Sequence, residues 1–142
     1  MRSLLDVNVL VAMLDSEHSS HAAAWKWFEE GARAGWASCP ITQNGCIRVM
    51  SQDAYVSPVP VDAIARRVRE ATSDARHRFW PDDMSLLDEK AIDTRRIHGP
   101  KQLTDVYLLA LAVSKGGRLV TFDRSISLDA VTAAQKKNLV VI

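Results

Sequence analysis

Three aspartates stand where a strand would end or a helix would begin. They are Asp6 in Leu5-Asp6-Val7-Asn8, Asp105 in Leu103-Thr104-Asp105-Val106, and Asp123 in Thr121-Phe122-Asp123-Arg124. Brought together by a fold, three carboxylates repel one another, because like charges at close range disfavour joint ionisation. A hard divalent cation relieves that repulsion, and a ligand set made only of oxygen favours Mg²⁺ or Mn²⁺ over zinc. Each acid also has a plainer explanation when taken alone. Asp6 could cap a helix. Asp105 could profit from a helix dipole in a first turn, with Thr104 as the cap. Asp123 could open a turn. What separates the two readings is whether the chain places all three at one edge.

The pattern of the chain places two of them there. Residues 3–5 form a short apolar run ended by Asp6, and Val7, Leu10, Val11 and Leu14 then recur at helical spacing. A second helix is expected over residues 21–29, with Ala24, Trp27 and Phe28 on its apolar face. A buried strand over 35–39 is stopped by Pro40, and Thr42 is placed to cap a helix over 43–51. A loop with Pro58 and Pro60 precedes a helix over 61–73, which turns Ile64 and Val68 inward and Arg66, Arg67 and Arg69 outward. Residues 77–80 read as an edge strand and residues 85–94 as a further helix. Residues 103–114 are apolar on most sides, so this helix should be buried, and Gly116-Gly117 ends it. Strands follow at 118–122 and 139–142, and Asp129 is placed to cap a last helix between them. Strands separated by helices of this length imply an α/β fold, a parallel sheet flanked by helices on both faces. Ligands in such sheets sit at the carboxyl ends of the strands. Asp6 and Asp123 directly follow strands, so both point to that edge.

Composition narrows the rest. The 142 residues fit a single domain, residues 1–142, with one sizeable core. The apolar fraction of 47% and charged fraction of 25% are ordinary for a globular protein. A net charge of +1 gives no global attraction for nucleic acid, so any such surface must be local. Two local groups are available: Arg66, Arg67, Arg69, Arg76, His77 and Arg78, and then Arg95, Arg96, His98 and Lys101 just before the Asp105 motif. The second leads toward the acidic edge and is the better candidate for phosphate contacts. Cys39 and Cys46 make no disulfide framework and no metal motif, and read as small apolar fillers. The apolar start is short and interrupted by Asp6 and Asn8, neither a signal peptide nor a membrane span, so a cytoplasmic protein is expected. No histidine is paired with a nucleophile in the sequence.

With these motifs in order, the chain resembles the PIN-domain ribonucleases, and among them the VapC-type toxins of bacterial toxin–antitoxin pairs. The resemblance rests on Leu5-Asp6-Val7-Asn8, on Cys39-Pro40-Ile41-Thr42-Gln43-Asn44-Gly45 with Arg48, on Leu103-Thr104-Asp105-Val106-Tyr107-Leu108-Leu109-Ala110, and on Thr121-Phe122-Asp123-Arg124. It covers nearly the whole chain. It implies an endoribonuclease that opens RNA phosphodiesters with Mg²⁺, or Mn²⁺ in its place, held by Asp6 and Asp105 with Asp123 completing the patch. Asn8 and Thr121 stand where family members orient the acids. Arg95, Arg96 and Lys101 are candidates for RNA contacts. The resemblance further implies a homodimer and an antitoxin protein as partner.

One departure bears on the chemistry. Many PIN domains carry a glutamate where this chain has Gln43. The amide offers an oxygen without a charge, leaving three formal negatives and keeping a second metal open. It also sustains an alternative, a PIN fold with weak catalysis that serves as an RNA-binding or regulatory module. A receiver-like or nucleotide-binding domain is less well supported, because no glycine-rich phosphate loop follows the first strand.

Overall fold

The computed structural model describes residues 1–142. The chain opens with strand β1 (Ser3–Leu5) and runs directly into helix α1 (Val7–Leu14). Helix α2 (His21–Gly31) leads to β2 (Trp36–Ser38), then α3 (Pro40–Ser51), α4 (Val61–Thr72) and the edge strand β3 (His77–Phe79). After a long irregular stretch come α5 (Leu103–Ser114), β4 (Arg118–Thr121) and β5 (Leu139–Val141). The five strands lie in the order β3-β2-β1-β4-β5, all pairs parallel. β1 therefore sits at the centre, and its neighbour β4 carries the other strand-end acid.

Alternation along the strands feeds two separate cores, one on each face of the sheet. Leu4, Ala37 and Leu119 face α5 and pack with Leu108, Leu109 and Leu111. Leu5, Trp36 and Val120, each one position away from a residue of that set, face the other way. They pack with Val9 of α1, Phe28 of α2 and Ile64 of α4. Helices thus cover both faces, as the alternation of strand and helix implied. Cys39 and Cys46 are both free and fully buried, one in each core.

α3 starts earlier than its sequence suggested. Pro40 occupies the first turn, where its missing N–H costs nothing. Cys39 is the cap, and Thr42 sits inside the helix with its hydroxyl accepting from the Cys39 backbone N–H at 2.9 Å. Gly45, one turn on, lies against α1: a Cβ there would come within 2.6 Å of Val7 Cγ2. Glycine at this point lets α3 approach the first turn of α1, next to Asp6. α5 likewise begins with Gln102 as its cap, not Thr104, because a 3₁₀ turn over Pro100–Gln102 feeds straight into it. It ends with Gly116 at φ +66°, the left-handed position that relieves a helix terminus.

Two expected helices do not form. In residues 85–94 the side chains compete with the backbone ladder: Ser85 Oγ accepts from Leu87 N–H and Asp88 Oδ1 from Lys90 N–H, both at 3.0 Å. Such local turns replace helix, and Ile92 instead bridges Val131 in antiparallel fashion. Between β4 and β5 there is likewise no α-helix, only turns and one 3₁₀ turn at Lys136–Asn138, so Asp129 caps nothing. Trp27, expected in the core, is only partly buried and lies 5.8 Å from the Arg118 guanidinium. No helix is long and apolar enough to cross a membrane.

Candidate active site

Asp6 is fixed by the junction of β1 and α1. Its backbone N–H continues the sheet by donating to Val120 O at 3.0 Å, and its carbonyl accepts the first α1 bonds from Val9 and Leu10. The residue is only 7% exposed. Oδ1 accepts from Val7 N–H and Oδ2 from Thr121 Oγ1, each at 2.7 Å. Burial pushes this carboxyl above its ordinary range, the two hydrogen bonds oppose that shift, and the Asp123 charge adds to it. Asp6 is therefore both a helix cap and a carboxylate whose charge burial disfavours.

Thr121 ends β4, and its hydroxyl is the hub of the site. Its proton goes to Asp6, while the oxygen accepts from Asn8 Nδ2 and from the Asp123 backbone N–H, both at 3.0 Å. Asn8 Oδ1 closes the loop by accepting from Phe122 N–H at 3.2 Å. The first turn of α1 and the end of β4 are thereby tied by side chains as well as by the sheet. Asp123 turns partly away from the centre: its Oδ1 accepts from Ser125 N–H at 2.7 Å and Ser125 Oγ at 2.6 Å, which lowers its pKa.

Asp105, in the first turn of α5, has no hydrogen-bond donor on the protein. Burial, then the charges of Asp6 and Asp123, push its carboxyl up to about 6. The two smaller contributions show that Asp105 lies within electrostatic reach of both other acids. All three line a single cleft of about 440 Å³, together with Asn8, His18 and Tyr55. The carboxylates share this cleft without closing into a ready-made ligand set around one point. The donors on offer are nonetheless all oxygens, and Asp105 is unneutralised, so the set suits a hard divalent cation rather than zinc.

The other expected residues are distributed unevenly. Gln43 does not line the cleft; its Nε2 donates to Ser38 Oγ at 2.9 Å, and Ser38 meets His77 Nε2 at 2.8 Å. The Gln43 carbonyl oxygen is left without a protein donor. Arg95 is locked onto Asp93 through two bonds of 2.9 and 3.0 Å with its side chain 88% exposed. Lys101 is exposed and forms no ion pair. Arg96, held more loosely to Asp93 at 3.5 Å, lines a second pocket that shares Asp105 with the acidic cleft. His18 and Tyr55 reach the acidic cleft with no local signal in the sequence, since both arrive from loops after α1 and α3.

Comparison with known proteins agrees with this fold. The PIN domain model matches residues 3–131. Ribonuclease VapC44 of Mycobacterium tuberculosis is 51% identical over 142 residues, the full length of both chains. The crystal structure of M. tuberculosis VapC20, a sarcin–ricin loop cleaving toxin, superposes with a TM-score of 0.63 at 12% identity, covering 94% of this chain and 98% of that one. VapBC2 from Rickettsia felis, bound to a DNA fragment from its promoter, superposes with a TM-score of 0.58 at 13% identity over 100% of this chain and 98% of that one. At these identities the two structures speak to the fold, whereas the family match and the full-length relative speak to descent: the chain belongs to the PIN-domain family, among the VapC ribonucleases.

Proposed function

We propose that the protein is a divalent-metal-dependent endoribonuclease, the toxin of a toxin–antitoxin pair. The observation that carries this reading is the single cleft shared by Asp6, Asp105 and Asp123, in which burial first, and then the charges of its acidic neighbours, push the Asp105 carboxyl up to about 6. Cleavage of a phosphodiester needs an activated water and relief of charge on the phosphate, and a bound Mg²⁺ or Mn²⁺ supplies both.

The residues of this chain divide the remaining work. Asp6 and Asp105 hold the cation, Asp6 pre-aimed by Thr121 and Val7, Asp105 free to turn toward it. Asp123 adds negative charge at the rim, its orientation set by Ser125. Asn8 keeps the Thr121 hydroxyl committed to Asp6, the kind of outer support that fixes ligand geometry. Gln43 lies outside the cleft, tied to Ser38, and its uncommitted carbonyl oxygen would have to turn toward the cation to assist. The full-length match to a named VapC ribonuclease supports RNA as the substrate. The VapBC2 complex supports an antitoxin protein as the partner, and a homodimer is expected with it.

The test is cleavage of total cellular RNA by the antitoxin-free chain with Mg²⁺, with EDTA, and with Asp6→Asn or Asp105→Asn. Discrete cuts that need metal and disappear in both variants are expected. Folded wild-type protein that leaves RNA intact with either metal would hand the lead to the binding-module alternative. Cutting that survives EDTA and both substitutions would sink the carboxylate assignment.

A further inference from the structure

Beside the acidic cleft lies a second pocket of about 200 Å³, formed where the start of α5 meets the segment after β4. Its walls are mixed. Val106 and Ala130, both buried, and the half-buried Ile126 supply its apolar lining. Arg96, Asp129 and Gln102 face it with polar groups. The Gln102 carbonyl oxygen is spent on the backbone N–H of His98 at 2.8 Å, which pins the loop that carries Arg96 and His98. Asp105 belongs to this pocket and to the acidic cleft alike. Whatever fills the pocket therefore sits directly beside the phosphate that the acids would act on.

The chemistry of the lining selects the occupant. A phosphate is disfavoured, because the carboxylates of Asp105 and Asp129 oppose the charge of Arg96. A lining that mixes apolar side chains with polar groups suits one unstacked base, and a volume of about 200 Å³ has no room for a base pair. Asp129 makes no ion pair, and Arg96 reaches only Asp93. The pocket thus presents a free carboxylate and a weakly committed guanidinium that do not neutralise each other. A carboxylate makes two parallel bonds only to a base edge with two adjacent donors, and guanine, through N1–H and its N2 amino group, is the one standard base that has it. Guanine also offers O6 and N7, the pair that arginine reads with two bonds.

We propose that this pocket binds one unstacked guanine next to the scissile phosphate, with Asp129 on its N1/N2 edge and Arg96 on its O6/N7 edge, and so sets where the RNA is cut. The placement beside a scissile phosphate rests on the nuclease reading above; the guanine pocket itself does not.

Two arms test it on the full chain. In the first, a randomised single-stranded RNA is cleaved with Mg²⁺ and the ends are sequenced. Guanine is expected at one fixed position relative to the cut, with its enrichment falling about tenfold in Asp129→Asn. In the second, short fluorescent RNAs are titrated in EDTA, so that no catalysis is needed. Replacing the recognised guanosine by inosine, which lacks the N2 amino group, should weaken wild-type binding about tenfold and leave Asp129→Asn indifferent. Replacing it by 7-deazaguanosine should weaken the wild type and leave Arg96→Gln indifferent. Metal-dependent cuts with no base preference, or a guanine preference that both variants retain, would overturn the pocket and leave the nuclease standing. Intact RNA in the first arm together with guanosine–inosine discrimination in the second would do the reverse.

Discussion

Thr121 at the end of β4 donates its hydroxyl proton to Asp6 at the end of β1 over 2.7 Å, and the same oxygen accepts from Asn8 and from the Asp123 backbone. One buried hydroxyl thus serves two of the three acids and the side chain beside them. Thr121→Val keeps the shape and removes the hub. It leaves the Asn8 amide and the Asp123 N–H without their acceptor, and Asp6 Oδ2 without its donor, with only the Val7 N–H still bonded to Oδ1. The expected cost is about 1–3 kcal/mol of stability, read by urea unfolding. A loss of roughly 10–100-fold in metal affinity or cleavage should accompany it. A variant that loses stability but keeps full metal affinity would reduce Thr121 to a structural role.

Asp105 stands in the opposite condition, with no donor and with two acids as neighbours. In metal-free protein at neutral pH its charge opposes folding. Asp105→Asn should therefore raise the melting temperature in EDTA, by an amount equivalent to about 1 kcal/mol once solvent screening of a half-exposed group is allowed for. The same variant should gain much less than wild type when Mg²⁺ is added, because a ligand stabilises only the state that binds it. Calorimetry of both proteins with and without metal reads both effects. A variant that melts lower in EDTA would mean that Asp105 holds the fold rather than a cation.

The acidic edge was legible in the sequence because its cause is local. Leu5-Asp6 and Thr121-Phe122-Asp123 each place an acid just after an apolar strand, and a parallel sheet sends both to one edge. Asp105 was legible for the helix it starts. The failures have causes that single residues do not announce. Residues 85–94 looked helical by composition, but Ser85 and Asp88 bond their own backbone two residues on, and Ile92 finds a partner in Val131 across the chain. His18, Tyr55 and the pocket between Arg96 and Asp129 depend on how loops fold over the sheet ends, and no periodicity reports that. Gln43 could be marked as unusual by resemblance, yet its attachment to Ser38 and through it to His77 is a tertiary fact.

Tyr55 hydrogen-bonds to Asp15, the residue that caps the end of α1, and ties the loop after α3 to the rim of the cleft. The bond is the largest influence on Asp15, whose pKa it lowers below 3.8. Tyr55 is pushed up to about 12, by burial first and Asp15 second, so it remains a donor at every relevant pH. A carboxylate with a depressed folded pKa stabilises fully above its unfolded value and loses that contribution as pH falls through the folded one. Tyr55→Phe should thus cost about 1 kcal/mol at pH 6. The gap between variant and wild type should close as the pH falls through and below 4. Unfolding curves across that range check it; a gap independent of pH would assign the loss to packing alone.

Gly45 answers a steric demand at the back of the site. α3 crosses α1 so closely there that a Cβ would lie 2.6 Å from Val7 Cγ2. Val7 is the residue whose N–H caps onto Asp6 Oδ1, so pushing α1 away moves the acid with it. Alanine is the better helix former by up to about 1 kcal/mol, and on propensity alone Gly45→Ala would stabilise. The clash works against that, since overpacking a tight contact costs about 1–3 kcal/mol. Crowding should win, because Val7 is β-branched and stiff at χ1 and cannot swing its methyl aside. Gly45→Ala is therefore expected to be less stable than wild type and to bind Mg²⁺ more weakly, with Val7→Ala in the same chain restoring much of both. Were the single variant as stable as wild type, the α1–α3 approach would be looser than the structure has it. Were stability restored by the second substitution but metal binding not, Val7 itself would be needed to aim Asp6.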